Sequence, residues 1–210
     1  MKMYAACLAS YNNGVHHGAW FDLEDFVDDV EGLQGAIAEK VLRTSKFPNV
    51  LVQVECHGCE GSGCITEGEF VIDSCAECAG AGVLQVSSSE EWAAHDYDGE
   101  GLSSFGEYPN LEDLLEHVRL IDEHGDAWLA YVEWQGANNA NEDAFLESRL
   151  GECESPQAYF EDHLEDSGLL KEVPQELRGY IDMEAYARDQ QISGGYHFEE
   201  YGSTTYVFAN

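Results

Sequence analysis

Five of the seven cysteines fall between residues 56 and 78, and four of those five form a repeat. Cys56-His57-Gly58-Cys59-Glu60-Gly61-Ser62-Gly63 and Cys75-Ala76-Glu77-Cys78-Ala79-Gly80-Ala81-Gly82 both read C-x-x-C-x-G-x-G, with fifteen residues between Cys59 and Cys75. A C-x-x-C turn sets two sulfurs on one side of a tight knuckle, and two such knuckles complete a tetrahedron around zinc. The glycines allow positive backbone angles, which turn amide hydrogens toward the thiolates. The spacing therefore predicts one structural zinc ion held by Cys56, Cys59, Cys75 and Cys78. An odd, clustered set of cysteines fits metal binding in a reducing compartment better than a disulfide scaffold. Cys64 reads as a spare thiol that could compete as a ligand, and Cys7 and Cys153 read as core residues.

The repeat resembles part of the zinc-binding modules of DnaJ-type co-chaperones. That resemblance implies either a metal staple for a small hairpin or a surface that binds polypeptide; the J-domain's His-Pro-Asp loop is absent from the sequence. Elsewhere the residues offer little catalysis. His95-Asp96, and His163 with Glu161 and Asp162, could be drawn as acid–base pairs, but eight His among 42 acids produce such neighbours by chance. No G-x-S-x-G elbow, P-loop, H-E-x-x-H or zinc-deaminase signature occurs. The expectation is a protein that is not an enzyme.

The elements around the cysteines alternate short helices with a few strands. Tyr4 to Ala9 is apolar, Asn12-Asn13-Gly14 signals a turn, and Gly18 to Phe21 resumes an extended run. Asp22 and Asp25 stand where an N-cap and third helical position would fall. Phe26, Val30, Leu33, Ile37 and Val41 then follow a helical period. Asn110 caps a second helix, with Leu111, Leu114, Leu115, Val118 and Ile121 on one face and Gly125 at its end. Trp128 to Trp134 reads as an alternating strand. Phe145, Leu146 and Leu150 mark a short helix, and Ser155-Pro156 starts another that turns Tyr159, Phe160 and Leu164 inward. A further helix is expected over 182–190, and Tyr196 to Phe208 as a hairpin turning at Gly202-Ser203.

Charge limits what such a chain can bind. Nine Lys and Arg stand against 42 Asp and Glu, a formal net charge of −33. From Phe47 to Val118 there are fifteen acids and no Lys or Arg. That sign excludes non-specific binding to nucleic acid and to anionic membranes. The apolar periodicity within the acidic stretches is that of folded helices with acidic outer faces, not of disordered tails. Some thirty uncompensated charges correspond to roughly 55 Å of B-DNA duplex. A compact chain of this length has a radius of gyration of about 17 Å, so duplex-like spacing would need an elongated molecule or a dimer. The charge suits a basic partner, which is typically a nucleic-acid-binding protein; a halophile's solvated surface is the bland alternative.

Several ordered segments resemble the ArdA antirestriction family. They are Tyr4-Ala5-Ala6-Cys7-Leu8-Ala9-Ser10-Tyr11-Asn12-Asn13-Gly14 with Gly18-Ala19-Trp20, and Glu90-Glu91-Trp92-Ala93-Ala94-His95-Asp96-Tyr97-Asp98-Gly99 with Gly106-Glu107-Tyr108. Tyr180 to Asp189 and the closing Tyr206-Val207-Phe208 continue it, so the resemblance covers roughly residues 1–45 and 89–210. It implies an elongated, acidic α+β homodimer, carried on mobile elements, that mimics bent B-form DNA. Such a protein occupies the DNA-binding groove of type I restriction–modification enzymes, with no catalysis, and protects incoming DNA. Shorter members lack the cysteine segment, which marks it as an insertion.

The resulting expectation is an elongated α+β fold of several small modules with a zinc-stapled insertion. Residues 1–50 form a strand-strand-helix module and 51–87 the inserted zinc module. A central acidic module spans 88–136, and a C-terminal helical module with a terminal hairpin spans 137–210. The phosphate-mimicking acids expected on outer helix faces are Glu112, Glu116, Asp122, Glu123, Glu142, Asp143, Glu147, Glu161, Asp162 and Glu165. In the Glu90–Gly99 segment, Trp92 and Tyr97 call for burial, with Asp96 capping a helix or bonding to His95. The partner expected is a type I restriction–modification enzyme, in a cytoplasmic setting without direct nucleic-acid or membrane binding. The alternative is a zinc-dependent polypeptide-binding or co-chaperone adaptor.

Overall fold

Seven strands and two helices come first in the chain. In the computed structural model, which describes residues 1–67, 70–137 and 139–210, these are β1 (Lys2–Cys7), α1 (Leu8–Asn12), β2 (Gly18–Asp22), α2 (Val30–Ile37), β3 (Val50–Glu55), β4 (Cys64–Glu67), β5 (Phe70–Ser74), β6 (Val83–Ser88) and β7 (Trp92–Asp98). Then follow α3 (Leu111–His124), α4 (Asp126–Gln135), α5 (Glu142–Ser148), β8 (Arg149–Cys153), α6 (Pro156–Asp166), α7 (Gln175–Arg178), α8 (Met183–Ile192), β9 (Tyr196–Tyr201) and β10 (Thr204–Ala209). This is an α+β fold with a cysteine cluster. The chain divides into two units, Met1–Glu116 and His117–Asn210. Both are acidic: 22 acids against four Lys and Arg in the first, 20 against five in the second.

In the first unit the apolar opening makes the central strand of an antiparallel sheet, β2-β1-β7. Met3, Ala5, Ala93 and Ala94 are fully or almost fully buried. Above β1 and β2 lies the turn 38–42 that continues α2. Leu33, Ile37 and Val41 carry the helical period across both pieces and are buried. The cap is Asp29, whose Oδ1 accepts the Gly32 N–H at 2.8 Å, rather than Asp22. Asp22 instead precedes a 3-10 turn, Leu23–Phe26, because the Leu23 N–H is tied to the Met1 carbonyl at 2.9 Å. Residues Leu8 and Ala9, expected in the strand, start α1; the Cys7 sulfur accepts the Ser10 N–H at 3.4 Å and ends β1 there. A separate ladder pairs β3 with β6, and β4 pairs with β5.

The second unit folds around aromatic side chains. Phe145 meets Trp128 edge-on at 5.4 Å and Tyr131 at 5.4 Å, and Tyr131 lies 5.5 Å from Phe208 on β10. Strand β10 runs between β8 and β9. The run Trp128–Trp134 is helical, not a strand. Five consecutive residues, Ala127 to Tyr131, are buried, so the first half of α4 shows no amphipathic period, although Asp126 and Glu133 are exposed. Gly125, at φ +58°, reverses the chain between α3 and α4. Leu150 belongs to β8, not to α5; the sequence Arg-Leu-Gly-Glu-Cys lacks the alternation that marks a strand. The helix start at Ser155-Pro156, the helix expected over 182–190 and the terminal hairpin stand as the sequence indicates, and Asp182 caps α8. Among the described residues, no helix is long and apolar enough to cross a membrane.

Candidate metal centre and acidic faces

The two knuckles are built alike. Cys59 and Cys78 each follow a turn closed on the first cysteine, with Gly61 N–H on the Cys56 carbonyl and Gly80 N–H on the Cys75 carbonyl. Glu60 and Ala79 occupy matching left-handed positions, φ +48° and +52°. The knuckles are then cross-tied: Cys56 N–H donates to Gly82 O at 2.9 Å, and Cys75 N–H to Gly63 O at 2.8 Å. A pseudo-twofold pairing of two C-x-x-C-x-G-x-G copies results, which is why the sequence repeats.

This arrangement brings four buried sulfurs together. The Sγ atoms of Cys56 and Cys75 are 3.8 Å apart, those of Cys59 and Cys78 3.7 Å, and all four lie within 4.8 Å of one another. Four cysteines at this separation could hold a metal ion. A tetrahedron with metal–sulfur bonds of about 2.3 Å has edges of about 3.8 Å. Two backbone donors complete the nest: Gly63 N–H points to Cys59 Sγ and Gly82 N–H to Cys78 Sγ, both at 3.2 Å. Burial pushes the Cys56 thiol up to about 12 and raises Cys59 as well. Burial acts in the same direction on Cys78, but the Gly82 N–H and the neighbouring thiols outweigh it and bring Cys78 down to about 7. Cys64 stands outside the cluster, half-buried, with its thiol directed to the Ser62 carbonyl at 3.5 Å. Cys7 is buried and Cys153 half-buried.

The glycines have a steric reason as well as a conformational one. A Cβ on Gly63 would lie 2.4 Å from Gly80 O, and one on Gly82 would lie 2.2 Å from Gly61 O. Both residues also sit at φ +73°. Gly82→Ala should therefore push the knuckles apart and displace a donor from Cys78, lowering metal affinity about 10–100-fold, as lost outer-shell contacts do. Competition with a chromophoric chelator measures this, and an unchanged affinity would show that the cross-ties do not govern the sulfur positions.

The ten acids expected on outer faces are placed on α3, α5 and α6. Nine are exposed and Glu142 is half-buried. Glu112, Glu116 and Glu123 share a face of α3 by their spacing of four and seven residues. Arg119 lies on that face too and binds Glu123 at 2.8 Å and Glu142 at 2.6 Å. Glu123 and Glu142, at least, are thus ion-paired. The i,i+4 contact with Glu123 was readable from sequence, but the contact with Glu142, 23 residues away, had no local signal. Glu123, His124 and Glu142 also come within 4.8 Å of one another, beside the guanidinium that pairs with the two acids.

Three further sequence candidates have plain outcomes. Asp96 is exposed rather than buried, and its Oδ1 accepts the Tyr97 N–H at 2.9 Å. His95 is exposed and meets the Tyr11 ring edge-on at 4.8 Å. In this segment the alanines between the motif's signature residues are the ones that pack inward. His163 lies over the Tyr159 ring, 6.1 Å away and nearly parallel, on exposed α6 surface.

Fold and site together define a small acidic α+β protein stapled by a four-cysteine knuckle. The chain belongs to the antirestriction protein (ArdA) family, which matches residues 3–205. The matched range includes the cysteine segment. No curated protein matches the chain.

Proposed function

We propose that the protein defeats restriction by presenting its acidic helix faces as a substitute for B-DNA, occupying the DNA-binding groove of a type I restriction–modification enzyme. The target's own lysines and arginines would release counterions on binding it, much as they do on DNA. The observation that carries this reading is the charge along α3, whose acids stand on more than one side of the helix. Five acids and one arginine lie on its 14 residues, a net −4 along about 21 Å. One strand of B-DNA places about six phosphates on the same length. The helix thus supplies roughly two-thirds of a strand's linear charge, and further exposed acids follow on α5 and α6. Protection of incoming mobile-element DNA, a homodimer and a cytoplasmic setting belong to the same proposal.

The ion in the knuckle is taken as zinc, because four thiolates in a closed tetrahedron suit it and the role is structural. Elemental analysis of chelator-free protein should give one zinc per chain; a ratio near zero, or iron in its place, would overturn the assignment.

A competition titration tests the mimicry. Purified protein is added to an active type I enzyme bound to labelled target DNA, at two salt concentrations. Stoichiometric displacement that weakens with salt is expected. No displacement at large excess would remove that enzyme as a target, and failure across a panel of such enzymes would end the reading. Because exposed ion pairs are worth about 0.2–1 kcal/mol each, Glu116→Gln alone should change inhibition by about twofold. Joint replacement of Glu112, Glu116, Glu161 and Glu165 by Gln should cost about sixteenfold, in proportion. A single acid accounting for all of the loss would argue for one specific contact instead.

One observation favours the adaptor reading for the metal module. Phe70, Val71 and Ile72 on β5 are 77%, 66% and 60% exposed. Removing residues 51–87 separates the two: a mimic keeps at least part of its inhibition, whereas an adaptor loses its partner altogether.

A further inference from the structure

Three stretches that are far apart in sequence meet at one cleft in the first unit. Leu8, Tyr11 and Asn12 come from α1, His95 from β7, and Glu107 and Tyr108 from the loop that follows. The cleft measures about 460 Å³, within the range of roughly 300–1,000 Å³ that holds small molecules and large side chains. It is held open by backbone and side-chain ties. Ala94 N–H donates to Glu107 O at 2.8 Å, Leu8 N–H to Glu91 O at 3.2 Å, and the Tyr97 hydroxyl to Gly106 O at 2.7 Å.

The two tyrosines lining it are left largely open to solvent. Tyr11 is 50% exposed and Tyr108 69% exposed, although both are large enough to bury if the fold required it. The Tyr11 ring is fixed from two sides, by His95 edge-on at 4.8 Å and by His16 at 6.2 Å. A rigid aromatic ring, a second exposed aromatic, a carboxylate on Glu107 and an amide on Asn12 form a set with one obvious complement. A planar cation stacks on aromatic faces, donates to a carboxylate in a fixed fork, and loses little hydration on entry. None of the lining residues is Lys or Arg, so no fixed cation of the cleft itself competes.

We infer that this cleft is a binding site for an arginine side chain presented by the protein's target, stacked on Tyr11 and Tyr108 and paired with Glu107. The inference rests on the DNA-mimic reading and deepens it. A phosphate array attracts any basic groove, whereas a cleft for one guanidinium fixes the register in which the mimic sits. It converts general electrostatic attraction into a defined pose, which charge alone does not supply.

Two measurements test it, and they fail separately. First, N-acetyl-arginine amide is titrated into the full-length protein while amide and aromatic NMR signals are followed, with N-acetyl-citrulline amide as the uncharged isostere. The expected result is saturable shifts at Tyr11, His95, Glu107 and Tyr108 with the arginine probe and none with citrulline, lost in Glu107→Gln. Shifts spread evenly over the acidic surface, or equal for both probes, would overturn the site. Second, Tyr108→Leu and Tyr11→Leu/Tyr108→Leu are compared with the unaltered protein in the DNA-displacement titration; Tyr108, being largely exposed, can be replaced without disturbing the core. The double variant should lose about tenfold in displacement with its salt dependence unchanged. Full retention by both variants, against an enzyme the unaltered protein inhibits, would sink the cleft and leave the mimicry standing. If the unaltered protein displaces no DNA from any enzyme of the panel, the mimicry falls, and the arginine titration alone decides the cleft.

Discussion

Stripping the metal should unfold residues 51–87 while the second unit keeps its structure. The reason lies in what the module buries. Its cluster of buried residues is Cys56, Cys59, Cys75 and Cys78, with Leu84 half-buried against them. Every described residue of β5 is exposed, and β3 alternates half-buried with exposed positions. A segment of this size lacks the apolar area to offset the entropy of ordering it. Coordination of four thiolates supplies about 10–16 kcal/mol in small zinc modules, far more than the two short ladders could. Hydrogen exchange should therefore show protected amides at Gly63, Cys75 and Gly82 with metal, and near-random-coil exchange there after chelation. The aromatic core around Phe145 should exchange as before. Cys56→Ser/Cys75→Ser should reproduce the chelated state without any chelator. Equal protection with and without metal would mean that the backbone cross-ties hold the knuckles by themselves.

The four-cysteine cluster was legible because its geometry is local. Each C-x-x-C-x-G-x-G copy encodes its own turn, and the repeat encodes the symmetry that joins them. Helix starts at Asn110 and Ser155 were legible for the same reason, since a cap reads only the next three residues. What failed was structure decided at a distance. Burial of five consecutive residues of α4 removed the period that would have marked it as a helix. Asp22 lost its capping role to Asp29 through a hydrogen bond to residue 1. The arginine that pairs with Glu123 and Glu142 bridges two helices, so its contact with Glu142 left no local signal. The cleft was hidden altogether. Its parts were visible as separate motif segments, and only the pairing of β1 with β7 places Tyr11 against His95.

Acid should weaken the second unit through one histidine. His117 is 5% exposed, and its Nδ1 accepts the Trp128 Nε1–H at 3.1 Å. Burial holds its imidazole at about 4, well below the ordinary 6.5. The sign follows from proton counts. Between pH 6.5 and 4 the unfolded chain binds a proton at this site and the folded chain does not, so stability falls as pH is lowered through that window. At 1.36 kcal/mol per unit, the full loss approaches about 3 kcal/mol near pH 4 and vanishes above about pH 7. Protonating Nδ1 would also remove the acceptor from Trp128, which packs 5.4 Å from Phe145 in the middle of the core. The 42 acids act in the opposite direction, since neutralising them relieves self-repulsion. That contribution is common to a variant differing only at 117, so the difference isolates the histidine. His117→Asn, which keeps a side-chain acceptor but does not titrate, should be less stable than the unaltered protein at pH 7 and lose less of its stability by pH 5. Denaturant unfolding at the two pH values measures the difference. The His117 ring-proton NMR shifts should stay flat down to pH 5; a midpoint near 6.5 would place the imidazole in solvent and remove the switch.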